Sequence, residues 1–246
     1  MTHRASVKQV DLGPNDVHVW WRGTGVPGNS ALDEAVALLS PGERERCGRF
    51  VFERDRRTFA IAHALLRTSL SRYADVAPAV WRFEEAPGGK PYLAPGAAVA
   101  DLAFNLTHTD GLVACAIGRN RRIGVDVEGV DRTVDDSVAS RFFSEAERAD
   151  LERLPAGRVR STRFFELWTL KEAYVKATGA GLAHPLNTIV FTPAGADGAI
   201  GFEAPADVDS ARWRFALFRP TDRHIVAVAG EGEPQEPLAI TIHLAR

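Results

Sequence analysis

Two periods of apolar residues run along this chain, and the switches between them mark its elements. Asp16-Val17-His18-Val19-Trp20-Trp21-Arg22 alternates with period two and closes on Gly23, which predicts a strand. Val26 to Ser30 reads as loop. Ser30 then caps a helix from Ala31 to Leu39, with Asp33 and Glu34 well placed in its first turn. Ser40-Pro41-Gly42-Glu43 starts another helix, with Glu43 three residues after Ser40 as a capping box requires. Asp55 opens the longest helical pattern of the first half, where Phe59, Ala62, His63, Leu66 and Leu70 keep helical spacing. Val80 to Phe83 reads as a short strand and 86–91 as a turn carrying Lys90. Asp101 to Asn105 and Leu112 to Ile117 make two strands turned by Thr109-Asp110-Gly111.

The polar break Arg119-Asn120-Arg121-Arg122 divides the chain into halves, 1–119 and 120–246. The second half opens on Ile123-Gly124-Val125-Asp126-Val127-Glu128, a strand with its apolar residues on one side and its carboxylates on the other. Helices follow at Val134 to Arg141 and Ser144 to Arg153. After the break at Pro155-Ala156-Gly157, Phe164 to Gly179 reads as an uninterrupted helix stopped by glycine. Thr188 to Thr192 is a strand, and residues 193–211 are mostly loop with a weak strand at 199–203. Trp213 to Phe218 and His224 to Ala229 form a hairpin, and Leu238 to Leu244 suits a last edge strand. Each half thus holds a long helix followed by a hairpin, a faint internal echo.

Composition narrows the class without naming a function. With 246 residues, 45% hydrophobic and 25% charged, the chain can build one large core or two small ones. A formal net charge of −2 offers no bulk polycation for nucleic acid, and no apolar run reaches membrane-spanning length. The opening residues carry no apolar signal core, and the two cysteines, Cys47 and Cys115, have no metal-ligand spacing. The expectation is a cytoplasmic protein with reduced thiols.

The chemistry concentrates in two stretches. In the helix, Trp168, Glu172 and Lys176 recur every four residues and share one side, while Leu167, Leu170, Tyr174 and Ala177 share another that suits a core. Taken alone, this is an exposed Glu–Lys pair beside a partly buried Trp. In the strand, Asp126 and Glu128 stand on one face roughly 6–7 Å apart and repel unless a cation or solvent screens them. A solvated strand end and a divalent metal explain that pair equally well. With Glu172 added, the three carboxylates suit magnesium, which takes oxygen ligands. Arg56 and Arg57 sit in the first turn of their helix, where cations are unfavourable without an anion nearby.

Gly124-Val125-Asp126-Val127-Glu128, followed by Trp168-Thr169-Leu170-Lys171-Glu172-Ala173, resembles the Sfp-type 4'-phosphopantetheinyl transferases. The family pattern is a G-[IV]-D-x-E strand and a W-x-x-K-E-[AS] helix. Leu39-Ser40-Pro41 to Arg49-Phe50, Asp55-Arg56-Arg57, Gly89-Lys90-Pro91 and Phe104-Asn105-Leu106-Thr107-His108-Thr109 match further landmarks, so the resemblance covers roughly residues 35 to 192. It implies an α+β fold of two similar subdomains related by a pseudo-two-fold axis, with the active site in the cleft between them. The implied reaction is magnesium-dependent transfer of the phosphopantetheine arm of coenzyme A to a serine of an apo carrier protein, releasing 3',5'-ADP.

By that resemblance Asp126, Glu128 and Glu172 ligate Mg²⁺, and Lys176, with Lys171 less securely, meets the pyrophosphate. Glu172 or a metal-bound water takes the serine proton, and Asp126 and Lys176 complete the catalytic set. Arg46, Arg57, Lys90 and His108, with Thr107 adjacent, receive the 3'-phosphate of coenzyme A in the first half. Glu43 departs from the pattern, because a carboxylate there repels phosphate unless Arg44 compensates. The carrier is expected to dock on the second half, near Phe142, Phe143, Arg141 and the segment from Tyr174 to Leu182. The partners implied are coenzyme A and acyl or peptidyl carriers, met by a monomer, with no nucleic acid or membrane. Fatty-acid, polyketide and nonribosomal-peptide carriers of primary or secondary metabolism all stay open. A different magnesium-dependent phosphotransferase and a non-catalytic coenzyme A or carrier-binding module are the rival readings.

Overall fold

The structure, a computed structural model, describes residues 9–25, 29–86, 88–97, 99–134, 136–181, 185–193, 199–236 and 238–245. Within this α+β chain two compact units form, Met1–Asn120 with Ile240–Arg246, and Arg121–Ala239. In the first unit the order is β1 (Asp16–Gly23), α1 (Asn29–Leu38), α2 (Pro41–Gly48), α3 (Glu53–Leu70), β2 (Phe83–Glu85), β3 (Pro91–Leu93), β4 (Leu102–Thr109) and β5 (Leu112–Arg119). The second unit runs β6 (Ile123–Gly129), α4 (Asp136–Phe142), α5 (Glu145–Arg153), α6 (Arg158–Thr178), β7 (Val190–Thr192), β8 (Gly201–Glu203), β9 (Trp213–Thr221) and β10 (His224–Glu231). A final strand, β11 (Ala239–Leu244), ends the chain.

The two orders are the same: strand, three helices, a small hairpin, a long hairpin. The pairing repeats as well. β1 lies beside β5 and β5 beside β4, while β6 lies beside β10 and β10 beside β9, all antiparallel. The echo that the sequence gives only faintly is therefore present in the topology of both units, with β11 the one strand outside it.

The repeat extends to single residues. Ser40 and Glu43 close a capping box at the start of α2, and Ser144 and Glu147 close one at the start of α5. In each unit the box glutamate then reaches a buried cation on the long helix. Glu43 meets Arg67 of α3 at 2.7 Å, and Glu147 meets Lys171 of α6 at 2.9 Å. A buried charge is costly without a partner, so each pair fixes its short helix against its long one.

In the first unit α3 buries Phe59, Ile61, Leu65 and Leu66 against Val113, Cys115 and Ile117 of β5. In the second, α6 buries Leu167, Leu170, Ala173, Tyr174 and Ala177 against Ile225, Ala227 and Ala229 of β10, with Phe191 and Trp213 completing an aromatic core. The helical side assigned to the core is thus the side that packs. Gly179 ends α6 in the left-handed region, φ 72°, as a glycine stop should.

Several boundaries differ from the sequence expectation. α3 begins at Glu53, two residues before Asp55, and α6 begins at Arg158, directly after the Gly157 break. Val80 ends a 3-10 turn and Trp81 turns into the core, so the strand comes later, at Phe83–Glu85. Thr188 likewise ends a 3-10 turn before β7. The second half does not run to residue 246. β11 pairs beside β1, and Ala245 donates its N–H to the Trp21 carbonyl at 2.9 Å, so that segment belongs to the first unit. No described helix is long and apolar enough to cross a membrane.

Candidate active site

The site begins with a glycine. Gly124, Asp126 and Glu128 share one face of β6, and α6 lies over that face. A Cβ on Gly124 would stand 2.0 Å from the Ala173 carbonyl oxygen and 2.5 Å from the Ala177 nitrogen. Only glycine lets helix and strand approach this closely. The approach reverses part of the sequence expectation. The carboxylates do not point to open solvent; they point to the helix that carries Glu172. Asp126 is buried, at 5% exposure. Ile123, Val125 and Val127, on the opposite face, are buried too.

Helix α6 returns three polar groups to that face. Lys176 Nζ donates to Asp126 Oδ1 at 2.5 Å, and Trp168 Nε1 donates to Glu128 Oε1 at 3.0 Å. Glu172 lies between them in the helix, one turn from each. From the chain just after β6, Arg132 donates to Glu128 Oε2. The four-residue spacing of Trp168, Glu172 and Lys176 therefore does converge on the strand carboxylates.

Three carboxylates this close affect one another. Burial pushes the Glu128 carboxyl up and the Asp126 charge adds to it. Arg132, the Trp168 hydrogen bond and Lys176 pull the other way, leaving it at about 7. Glu172 is also raised, by burial first and by Asp126 second, against Lys176. Among the described residues no three His, Cys, Asp or Glu side chains are gathered tightly enough to hold a metal ion. Here Asp126 leans on Lys176 and Glu128 on Arg132. The donor chemistry nonetheless fits a hard divalent cation: oxygen ligands only, from two facing elements, with protonation favoured where no metal compensates the charge.

Lys171 does not join this group. Its side chain is fully buried, and its ammonium donates to the Leu186 and Ile189 carbonyls at 2.8 Å each besides pairing with Glu147. It points about 100° away from Glu172 around the helix, into the core. Burial lowers its pKa against the pull of Glu147. Its role in this structure is to hold α6 to α5 and to the start of β7, which corrects its assignment to the pyrophosphate.

A cavity of about 530 Å³ lies in the first unit, lined by Arg46, Phe59, His63, Arg67, Arg82 and Phe83 among others. Of the residues expected to receive the 3'-phosphate, it includes Arg46, whose guanidinium lies 3.8 Å from Glu85 and 5.5 Å from the Phe59 ring centre. Lys90 stands in the turn of the β2–β3 hairpin that carries Glu85, and burial lowers its pKa. Because α3 begins at Glu53, Arg57 lies one turn inside it rather than in its first turn, and it meets Glu53 at 3.3 Å in an i,i+4 pair. Thr107 is buried and His108 exposed within β4. None of these four lines the cavity.

Glu43 also lines the cavity, but its charge is already spent. It accepts the Ser40 N–H at 2.7 Å and meets His63 and Arg67 at 2.9 and 2.7 Å. Burial pushes it up, yet the His63 and Ser40 hydrogen bonds and the charges of His63 and Arg67 outweigh that and hold it at about 2. Its compensation comes from α3, not from Arg44. The sequence placed His63 on the spaced face of this helix but gave neither it nor Arg67 a partner. The only signal was position, since His63 follows the buried Phe59 by four residues and Arg67 follows His63 by four.

Of the two aromatic residues proposed for carrier docking, Phe143 is core at 1% exposure. Phe142 is half-buried, lies 5.6 Å from Trp168 ring to ring, and carries the Arg141 guanidinium 5.0 Å above it. Leu182 falls outside the described residues.

Strand carboxylates, a helix glutamate and a lysine one turn on form a polar cluster, and comparison with known sequences gives the class of protein that carries it. The profile of the 4'-phosphopantetheinyl transferase superfamily matches residues 122–229, and that of the 4'-phosphopantetheinyl transferase N-terminal region matches residues 23–119. The 4'-phosphopantetheinyl transferase HetI of Nostoc sp. is 36% identical over 226 residues, 91% of each chain. The 4'-phosphopantetheinyl transferase Sfp of Bacillus subtilis is 32% identical over 154 residues, 62% of this chain and 66% of that one. A crystal structure of holo-[acyl-carrier-protein] synthase from Thermotoga maritima is similar at 25% identity and a TM-score of 0.38, covering 45% of this chain and 62% of its own. This chain belongs to the 4'-phosphopantetheinyl transferase family and is an enzyme of that class.

Proposed function

We propose that the enzyme transfers the 4'-phosphopantetheine arm of coenzyme A to a serine of an apo acyl or peptidyl carrier protein. The observation that supports this most directly is the gathering of Asp126, Glu128, Glu172 and Lys176 on the face where α6 meets β6. The serine oxygen forms a bond to the phosphorus that bears pantetheine. The bond from that phosphorus to the adenylate side breaks, and 3',5'-ADP leaves with the electron pair. The serine proton passes to Glu172, whose carboxylate is made more basic by burial and by the neighbouring Asp126 charge.

Asp126, Glu128 and Glu172 would hold Mg²⁺, which supplies charge neutralisation for the pyrophosphate in a reaction governed by positioning and electrostatics. Lys176 exchanges its hold on Asp126 for the pyrophosphate when substrate arrives. For the 3'-phosphate, Arg46, Arg57, Lys90 and His108, with Thr107, remain the assigned group. Phe142 and Arg141 are the accessible part of the carrier-docking surface, because Phe143 belongs to the core.

The test is direct. Wild type, Asp126→Ala and Glu172→Ala proteins are incubated with coenzyme A, Mg²⁺ and a panel of apo carriers, and each carrier is weighed by mass spectrometry. The wild type should add the phosphopantetheine mass; both variants should remain folded by circular dichroism and lose transfer by at least about a thousandfold. A folded Asp126→Ala protein with near wild-type turnover overturns the assignment. In the same assay, Phe142→Ala should raise KM for the carrier and leave KM for coenzyme A nearly unchanged. Equal shifts in both constants would move the docking surface elsewhere.

A further inference from the structure

Arg132 has no place in the reading above, yet it touches the site. Its guanidinium meets Glu128 Oε2 in an i,i+4 contact across the end of β6, its Nε donates to the Gly129 carbonyl at 3.4 Å, and it lies 5.5 Å from the Phe165 ring centre. Its side chain is 56% exposed, against 15% for Glu128.

The two oxygens of Glu128 are engaged differently. Oε1 takes the indole N–H of Trp168, a neutral donor held on α6. Oε2 takes Arg132, a full positive charge on an exposed side chain. A divalent cation and a guanidinium seek the same carboxylate lone pairs, and each disfavours the other by charge. The Trp168 hydrogen bond is compatible with a metal on Oε2, whereas the Arg132 contact is not. Arg132 also has somewhere to go: the Phe165 face and the Gly129 carbonyl remain for it once the carboxylate is taken.

We infer that Arg132 is a displaceable counter-ion of Glu128, a built-in competitor that sets the divalent-cation concentration at which the site loads. The inference rests on the reading of Asp126, Glu128 and Glu172 as metal ligands. It assigns to Arg132 a role distinct from Lys176, which stands on the helix and pairs with Asp126. It also accounts for the lack of a closed three-carboxylate cluster among the described residues, because Glu128 is turned toward its own cation.

Binding without catalysis tests this. Mn²⁺ is titrated into the full-length wild type and into Arg132→Ala, Arg132→Lys and Asp126→Asn proteins, with no coenzyme A present. Bound ion is read by electron paramagnetic resonance, and Mg²⁺ is titrated by calorimetry in parallel. Removing the competitor should tighten Mn²⁺ binding in Arg132→Ala by about 1.5- to fivefold, the range that one ion pair of this exposure commands. Arg132→Lys, which keeps a charge but loses the fork, should fall between. Equal or weaker binding by a folded Arg132→Ala protein overturns the inference, weaker binding showing that Arg132 orients Glu128 for the metal. If wild type binds no more Mn²⁺ than Asp126→Asn, the metal reading itself fails, and the competitor role with it.

Discussion

Glu43 shows how a residue can look out of place in a motif and still be required. In sequence it opposes phosphate binding. In the structure it closes a capping box with Ser40 and neutralises Arg67, whose side chain is 1% exposed and also donates to the Pro78 and Trp81 carbonyls. Because its folded pKa is depressed to about 2 from an ordinary 4.5, its contribution is fully present above pH 4.5 and is lost as pH falls toward 2. At about 1.4 kcal/mol per pKa unit this amounts to roughly 3 kcal/mol. Glu43→Gln should therefore lose about that much stability at pH 7 and show a flatter decline between pH 4.5 and 2 than wild type, measured by urea unfolding across that range. An unchanged acid limb would mean that Glu43 carries no linked stability. At this scale the sequence was informative where spacing carried the meaning, as with Trp168, Glu172 and Lys176. It misled where one charge answered another across 24 residues, as with Glu43 and Arg67, or where a lysine beside Glu172 faced inward, as with Lys171.

At the scale of elements, the capping boxes at Ser40 and Ser144 and the glycine stop at Gly179 were legible because each is a local hydrogen-bonding rule. Starts without a side-chain cap were not. α3 begins after Phe52 and α6 after Gly157, neither of which supplies a side-chain capping bond. The packing of α6 on β6 was hidden for another reason: alternation tells which residues share a face, not which face a helix will cover. Gly124 decides that here. Gly124→Ala would set a methyl carbon against the Ala173 backbone, so helix and strand must separate. The expected cost is about 3 kcal/mol or more, or roughly 6–12 °C in Tm. The separation should also weaken Mn²⁺ binding, because the proposed ligands come from both elements. A variant with wild-type Tm and wild-type Mn²⁺ affinity would show that the close approach is dispensable.

At the scale of the whole molecule, the same plan is used twice with different chemistry placed on it. The box glutamate and buried helix cation occur in both units, paired as Glu43 with Arg67 and Glu147 with Lys171. The carboxylate face occurs only in the second, where β6 carries Asp126 and Glu128. Matched through the strand registers, β1 has Trp20 where β6 has Asp126 and Arg22 where it has Glu128, and Trp20 donates its indole N–H to the Tyr73 hydroxyl at 2.7 Å. The last strand breaks the correspondence. β11 leaves the second unit and covers the edge of β1, where His243 stacks on Trp20 at 4.2 Å and meets His18 edge-on at 4.9 Å. None of its residues belongs to the carboxylate cluster. Deleting residues 239–246 should therefore act on one unit and spare the chemistry of the other. The β1 amides turned toward β11 should lose hydrogen-exchange protection, and Trp20 should become more accessible to a fluorescence quencher, because a bare strand edge exposes backbone groups to water. Mn²⁺ affinity, set by β6 and α6, should stay within about twofold of wild type, since sites that share no partners respond nearly independently. Loss of metal binding on deletion, with β1 still protected, would reverse that division of labour.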